Sequence, residues 1–181
     1  MTNNAKPIVE PSDVKNLNIR VAETPLRVDT FEELGAIPTV MAFSEVYGAL
    51  QQGALDAQEN PLSNTVAPRF YEVQDYLSLT GHFYNTVMLM VETETWEEIS
   101  QEDQKIILEE MEKASENVQN QNDDMEDSYI QTLEDNGMAV NDDVDKESFR
   151  ETLLPIYDQW EEEVFGKELM DIYREVSGWE E

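Results

Sequence analysis

The chain has 181 residues, 40% of them hydrophobic, and its 41 acidic and 11 basic side chains leave a formal charge of −30. That length and apolar content suit a folded domain with a real core and exclude a disordered chain. The charge repels nucleic-acid phosphates and anionic membrane surfaces, no apolar run is long enough to insert into a bilayer, and a chain without cysteine has neither disulfides nor thiolate chemistry. The acids are spread along the sequence rather than held in a tail, which predicts a surface suited to high salt, where self-repulsion is screened. No signal peptide is expected, because the first residues lack the basic-plus-apolar pattern.

Residues 1–16 are polar, carry Pro7 and Pro11, and read as an entry loop. Leu17, Ile19 and Val21 alternate with polar or small neighbours and predict a half-buried strand, with Arg20 on the face away from the core. Thr24-Pro25 predicts an N-cap followed by proline at the first helical position, and Gly35 a stop. A short strand is expected at Ile37 to Val40. Val46, Tyr47 and Leu50 then recur at helical spacing up to Gly53, and the extended polar run behind them closes on Asn60-Pro61.

Phe70 to Leu79 predicts a helical turn followed by a strand near Tyr76. Val87 to Val91 is five apolar residues in a row and predicts a strand buried on both faces. Thr95-Trp96-Glu97-Glu98 has a capping-box pattern, and Ser100 with Asp103 starts another helix. No proline or glycine falls between Gln101 and Asn136, so one helix of about 50 Å is expected, with a solvated polar middle around Asn120 to Asp124. Gly137 ends it. A brief strand at Met138 to Val140 follows, then a helix capped by Asp145 and kinked at Pro155, then a last short helix after Gly166. The alternation of strands and helices predicts an α/β layer architecture.

Taken singly, the candidate site residues have ordinary readings. Asn60 before proline is a turn-former or an amide offered at a strand end. Arg20 is a surface cation or a flat fork for a carboxylate. Phe43 reads as a core aromatic. Glu59, next to Asn60, points to the opposite strand face. His82 is the single histidine, so no histidine metal cluster and no histidine pair is available. Asp142, Asp143, Asp145 and Glu147 fail the calcium-loop pattern, with Lys146 and Thr152 where glycine and glutamate are needed. No cofactor and no catalysis are expected, because nucleophile–base pairs and phosphate-binding glycine loops are missing.

The segments Ala42-Phe43-Ser44-Glu45-Val46-Tyr47, Ala49-Leu50-Gln51 and Gln58-Glu59-Asn60-Pro61 resemble the core signature of solute-binding proteins of tripartite ATP-independent periplasmic (TRAP) transporters. So do Leu17-Asn18-Ile19-Arg20-Val21 upstream, and Phe70-Tyr71-Glu72-Val73-Gln74, Tyr76 to His82 and Glu102-Asp103-Gln104-Lys105 downstream. The resemblance implies a periplasmic-binding-protein-like α/β lobe with a long helix crossing the hinge, and a receptor for small carboxylates that docks on membrane transporter subunits in the periplasm. It implies that Arg20 holds the ligand carboxylate, that Asn60 steadies it and that Phe43 packs on it, with Glu59 and His82 nearby. It also implies that a first lobe is missing. On this reading, 1–85 is the main part of the second lobe, 86–125 is a crossover that docks on the first lobe, and 126–181 returns. An unpaired strand at Val87 to Val91 would then favour self-association. The competing reading is an acidic protein–protein interaction module without a small-molecule ligand.

Overall fold

A computed structural model describes residues 1–84 and 88–177, the side chains of 122–124 and 177 excepted. Among the described residues six strands form one sheet in the order β3-β2-β4-β1-β5-β6. They are β1 (Thr2–Asn3), β2 (Asn18–Val21), β3 (Ile37–Val40), β4 (Ala57–Gln58), β5 (Tyr76–Ser78) and β6 (Ala139–Asn141). All run parallel except β1, which lies antiparallel between β4 and β5. The helices are α1 (Pro25–Glu33), α2 (Phe43–Gln51), α3 (Leu62–Val66), α4 (Thr93–Glu98), α5 (Gln101–Asp135), α6 (Lys146–Trp160) and α7 (Gly166–Ser177).

Local chemistry sets these bounds. Extended Thr24 precedes Pro25 at the start of α1, and Gly35, at φ +77°, lets the chain leave it and enter β3. The Ser100 hydroxyl accepts from the Asp103 amide and caps α5, whose 35 residues end before Gly137 at φ +93°. Asp145 caps α6 by accepting from the Ser148 amide.

Both faces of the sheet are covered. On one, Ile19 and Val21 of β2 pack with Phe31 and Leu34 of the α1 segment and with Phe149, Leu153 and Ile156 of α6. Each such side chain removed from water contributes about 1.5–3 kcal/mol. On the other, Val46 and Leu50 of α2 meet Leu55 and Phe70. At the β5–β6 end, Leu77, Leu133 and Met138 anchor the last turns of α5. Glu112 to Gln121 of α5 are exposed, in keeping with the polar middle of that helix.

Three expectations are corrected. Residues 1–16 are not an open loop: Thr2 and Asn3 are fully buried at the centre of the sheet, and Ile8 and Val14 belong to the core. The Asn3 carbonyl oxygen of the side chain accepts from the amides of Ala5 and Lys6, so a polar residue closes its own turn there. Met88 to Val91 form no strand and are exposed, and Val87 lies outside the described residues. An apolar run becomes a strand only by pairing with a sheet edge, and Met88 to Val91 pair with none of the six strands. Finally, α4 begins at Thr93 after Glu92, two residues before the predicted capping box. α6 runs through Pro155, and a π-helical segment at Glu161–Phe165 leads to Gly166 at φ +72°.

Candidate anion-binding site

The site lies at the C-terminal ends of the parallel strands β2 and β4, the end of an open α/β sheet at which ligands commonly bind. Arg20 pairs in register with Gln58. Side chains opposite one another in a parallel ladder share a face, and alternation along β2 puts Arg20 on the side away from Ile19 and Val21. As predicted, it leaves the main core; it is not a surface residue, however, being only 5% exposed. The chain turns from β3 into α2 directly over it. Arg20 Nε and Nη2 donate to the Met41 carbonyl oxygen at 2.9 and 2.8 Å. The Phe43 ring centroid lies 5.8 Å from the guanidinium carbon. Phe43 is 42% exposed and meets Phe70 edge to face, so it is a half-open aromatic beside a cation rather than a core residue.

Burial disfavours the charged form of Arg20, the Glu59 charge restores part of that, and the Arg27 charge opposes it. An arginine stays protonated through such a shift. Among the described residues no carboxylate forms an ion pair with it, and nothing accepts from Nη1. α2 begins beside this charge with Ala42 as its N-cap and no side-chain cap, so the positive end of the helix adds to the local potential.

Asn60 extends the same face, two residues beyond Gln58. Its Nδ2 donates to Gln58 Oε1 at 2.6 Å, Gln58 Nε2 donates to the Thr2 hydroxyl at 2.9 Å, and that hydroxyl donates to Gln74 Oε1 at 3.0 Å. The buried relay fixes the Asn60 amide and leaves its Oδ1 without a donor among the described residues.

Glu59 and His82 lie on the other face, as the alternation along β4 requires. Glu59 is 3% exposed; its Oε2 accepts from Arg27 Nη1 at 2.5 Å and sits 3.5 Å from His82 Nε2. Arg27 also stacks over Phe83, 4.6 Å from the ring centroid. His82 Nδ1 is 2.6 Å from the Thr80 hydroxyl, and its ring touches Phe31 and Phe83. The carboxylate beside Nε2 favours the proton there, so Nδ1 accepts from Thr80. Burial lowers the His82 pKa, against the Glu59 interaction that raises it. For Glu59, burial raises the pKa, but the His82 N–H and the Arg27 charge outweigh it and hold the carboxyl below its ordinary range.

The structure therefore brings Arg20, Phe43 and Asn60 together on one face and Glu59 with His82 on the other. Sequence reasoning missed Arg27 and the Met41 carbonyl. Arg27 did carry a signal: it is the third residue of α1, and a cation in the first turn of a helix opposes the dipole, so it implies a compensating partner.

A family model, the bacterial extracellular solute-binding proteins of family 7, matches residues 1–163. A solute-binding protein of Verminephrobacter eiseniae is 33% identical over 174 residues, covering 96% of this chain and 52% of its own length. The sialic acid-binding periplasmic protein of Vibrio cholerae is also 33% identical, over 90% of this chain and 50% of its own. Among solved structures, a TRAP periplasmic solute-binding protein of Polaromonas bound to D-erythronate superposes with a TM-score of 0.84 at 37% identity, over 90% of this chain and 54% of its own. The chain thus spans about half the length of the relatives it matches. No helix among the described residues is long and apolar enough to cross a membrane. On this match and this fold, the chain belongs to the family-7 extracellular solute-binding proteins of the TRAP type.

Proposed function

We propose that the chain is the solute-binding component of a TRAP-type transporter, and that it captures a small organic acid through Arg20. The observation that carries this is a buried guanidinium without a carboxylate partner among the described residues, in a protein of charge −30. With the Nε–Nη2 edge occupied by Met41, the Nη1–Nη2 edge is the fork offered to a carboxylate. Asn60 steadies the anion from the neighbouring strand and Phe43 covers its apolar part. Residues 1–85 and 126–181 act as the ligand-bearing lobe. The segment 86–125 contacts the remainder of a receptor, whose other wall raises affinity by closing over the ligand. The protein acts in the periplasm, passes its ligand to membrane subunits and catalyses nothing.

The test is amide-resolved NMR of this chain titrated with a panel of millimolar organic acids at pH 7. Saturable shifts are expected at Arg20, Phe43 and Asn60, and Arg20→Ala should abolish them. If no acid perturbs these residues, or if Arg20→Ala responds like the parent, the proposal fails.

A further inference from the structure

The buried relay behind Asn60 has a direction, and the backbone sets it. Gln74, 2% exposed, turns Nε2 toward two main-chain carbonyl oxygens, that of Val73 at 3.1 Å and that of Asp56 at 3.5 Å. A carbonyl oxygen only accepts, so the opposite orientation of this amide would set oxygen against oxygen in a place closed to water. With Nε2 committed there, Gln74 Oε1 faces Thr2, and the Thr2 hydroxyl donates to it. A hydroxyl has one hydrogen, so toward Gln58 Thr2 can only accept, and Gln58 has to offer Nε2. Asn60 then meets Gln58 Oε1 and has to answer with Nδ2. Two backbone oxygens thus determine, through three side chains, how the last amide is turned.

We propose that Gln74 and Thr2 are positioning residues for the anion site: acting through Gln58, they decide which end of the Asn60 amide the site presents. This rests on the reading of Arg20 and Asn60 as the anion's contacts. Thr2 belongs to β1 and Gln74 precedes β5, so both lie outside the two strands that lead to the site. The relay spends one Nδ2 hydrogen of Asn60 on Gln58 and leaves the other, with Oδ1, without a partner among the described residues. An amide already held in one orientation loses no rotamer freedom when a ligand arrives, whereas a loose one does. A packing role alone would be met by any buried group of the right shape. The relay differs because a change at Thr2 or Gln74 is read out at Asn60.

The experiment begins with NMR of the unmodified chain without ligand. Nuclear Overhauser contacts should place the Gln58 Nε2 protons against the Thr2 methyl group rather than the Asn60 side chain. Gln58 Nε2 protons nearest Asn60 would mean that the relay runs the other way and would overturn the proposal with no variant needed. Glycolate then serves as the carboxylate probe at pH 7. Thr2→Val keeps the side chain's shape without its hydroxyl; it should move the Asn60 side-chain amide resonances and weaken glycolate binding roughly two- to tenfold. Thr2→Ser keeps the hydroxyl and should behave as the parent in both respects. Gln74→Met breaks the relay at its far end and should act like Thr2→Val, so it decides the matter where that variant does not fold. Glycolate affinity equal to or above the parent's in a natively folded Thr2→Val or Gln74→Met chain would overturn the positioning role and leave the Arg20 anchor standing. A parent with no Arg20-dependent response to glycolate would lose the anchor, and the relay its role at an anion site, together.

Discussion

The Arg20 guanidinium grips the Met41 carbonyl through both Nε and Nη2, which ties the end of β2 to the entrance of α2. Lysine at this position would keep the charge but has no planar fork to hold a carbonyl and an anion at once. Arg20→Lys is therefore expected to lower stability in urea melts by about 1–3 kcal/mol, because the buried carbonyl loses its donors, and to weaken acid binding. Unchanged melting together with unchanged affinity would mean that the fork is idle.

The Arg27–Glu59 pair behaves differently. Removing one partner leaves a buried charge without its counter-ion, so Arg27→Met or Glu59→Gln alone should each cost about 3–5 kcal/mol. Arg27→Met combined with Glu59→Gln removes both charges and should recover most of that loss. A double-mutant cycle by denaturant unfolding measures the coupling, and additivity of the two single effects would show that the pair is not the source of the penalty.

Acid should destabilise the fold in two stages of the same sign. His82 has a lowered pKa when folded, so its contribution is complete above the ordinary histidine value near 6.5 and is lost as the pH falls below it. Glu59 is also lowered, and its contribution is complete above the ordinary value near 4.5 and is lost as the pH falls through the folded one. Urea midpoints measured from pH 8 to pH 3 should decline first from pH 8 downward, as the buried Met1 ammonium, lowered to about 6, and His82 take up protons, and again below pH 4.5. His82→Gln should lessen the decline below pH 6.5 and leave the last one. A midpoint that rises between pH 6.5 and pH 5 would contradict the His82 assignment, and one that rises below pH 4.5 the Glu59 assignment.

Salt should act on the whole surface. Screening shortens from about 10 Å at 0.1 M to about 3 Å at 1 M, so a chain of charge −30 is expected to melt at a higher temperature in molar sodium chloride than in dilute buffer. The described ion pairs on the helices, such as Lys105–Glu109 and Lys167–Asp171, are too exposed to reverse this. A lower melting temperature in molar salt would rule out an electrostatic origin for the acidic composition.

The same screening bears on association. Leu89, Met90, Trp96, Ile107, Leu108 and Met111 line an apolar groove between the 88–91 segment and the start of α5. Apolar surface of this kind favours contact between copies, and the acidic charge opposes it. Light scattering should show self-association that grows with salt and is reduced by Met90→Lys. A monomer at every salt concentration would refute the expectation.

Where backbone chemistry punctuates the chain, the elements could be read in advance. Thr24-Pro25, Gly35, Ser100 with Asp103, Gly137 and Asp145 mark boundaries through caps and left-handed residues that act locally. β1 could not be read, because two polar residues have no periodicity and their burial depends on Gln58 and Gln74, more than fifty positions away. The Val87 to Val91 run misled for the opposite reason, since hydrophobicity announces burial without naming a partner. At the site, strand alternation separates Glu59 from Asn60 as expected. The burial of Arg20 was hidden, because it comes from α2 crossing a face that an isolated strand pattern assigns to water.

The reversed strand Thr2–Asn3 has a mechanical consequence. The parallel strands fall into two blocks, β3-β2-β4 carrying Arg20 and Gln58 and β5-β6 carrying the root of the long helix, and among the described residues β1 is the only strand that joins them. Sliding or twisting of one block against the other loads a seam two residues wide. A movement that begins at the far end of α5 can reach the anion-facing strands through this narrow join, which makes the reversed two-residue strand the place where stiffness between the two blocks is set.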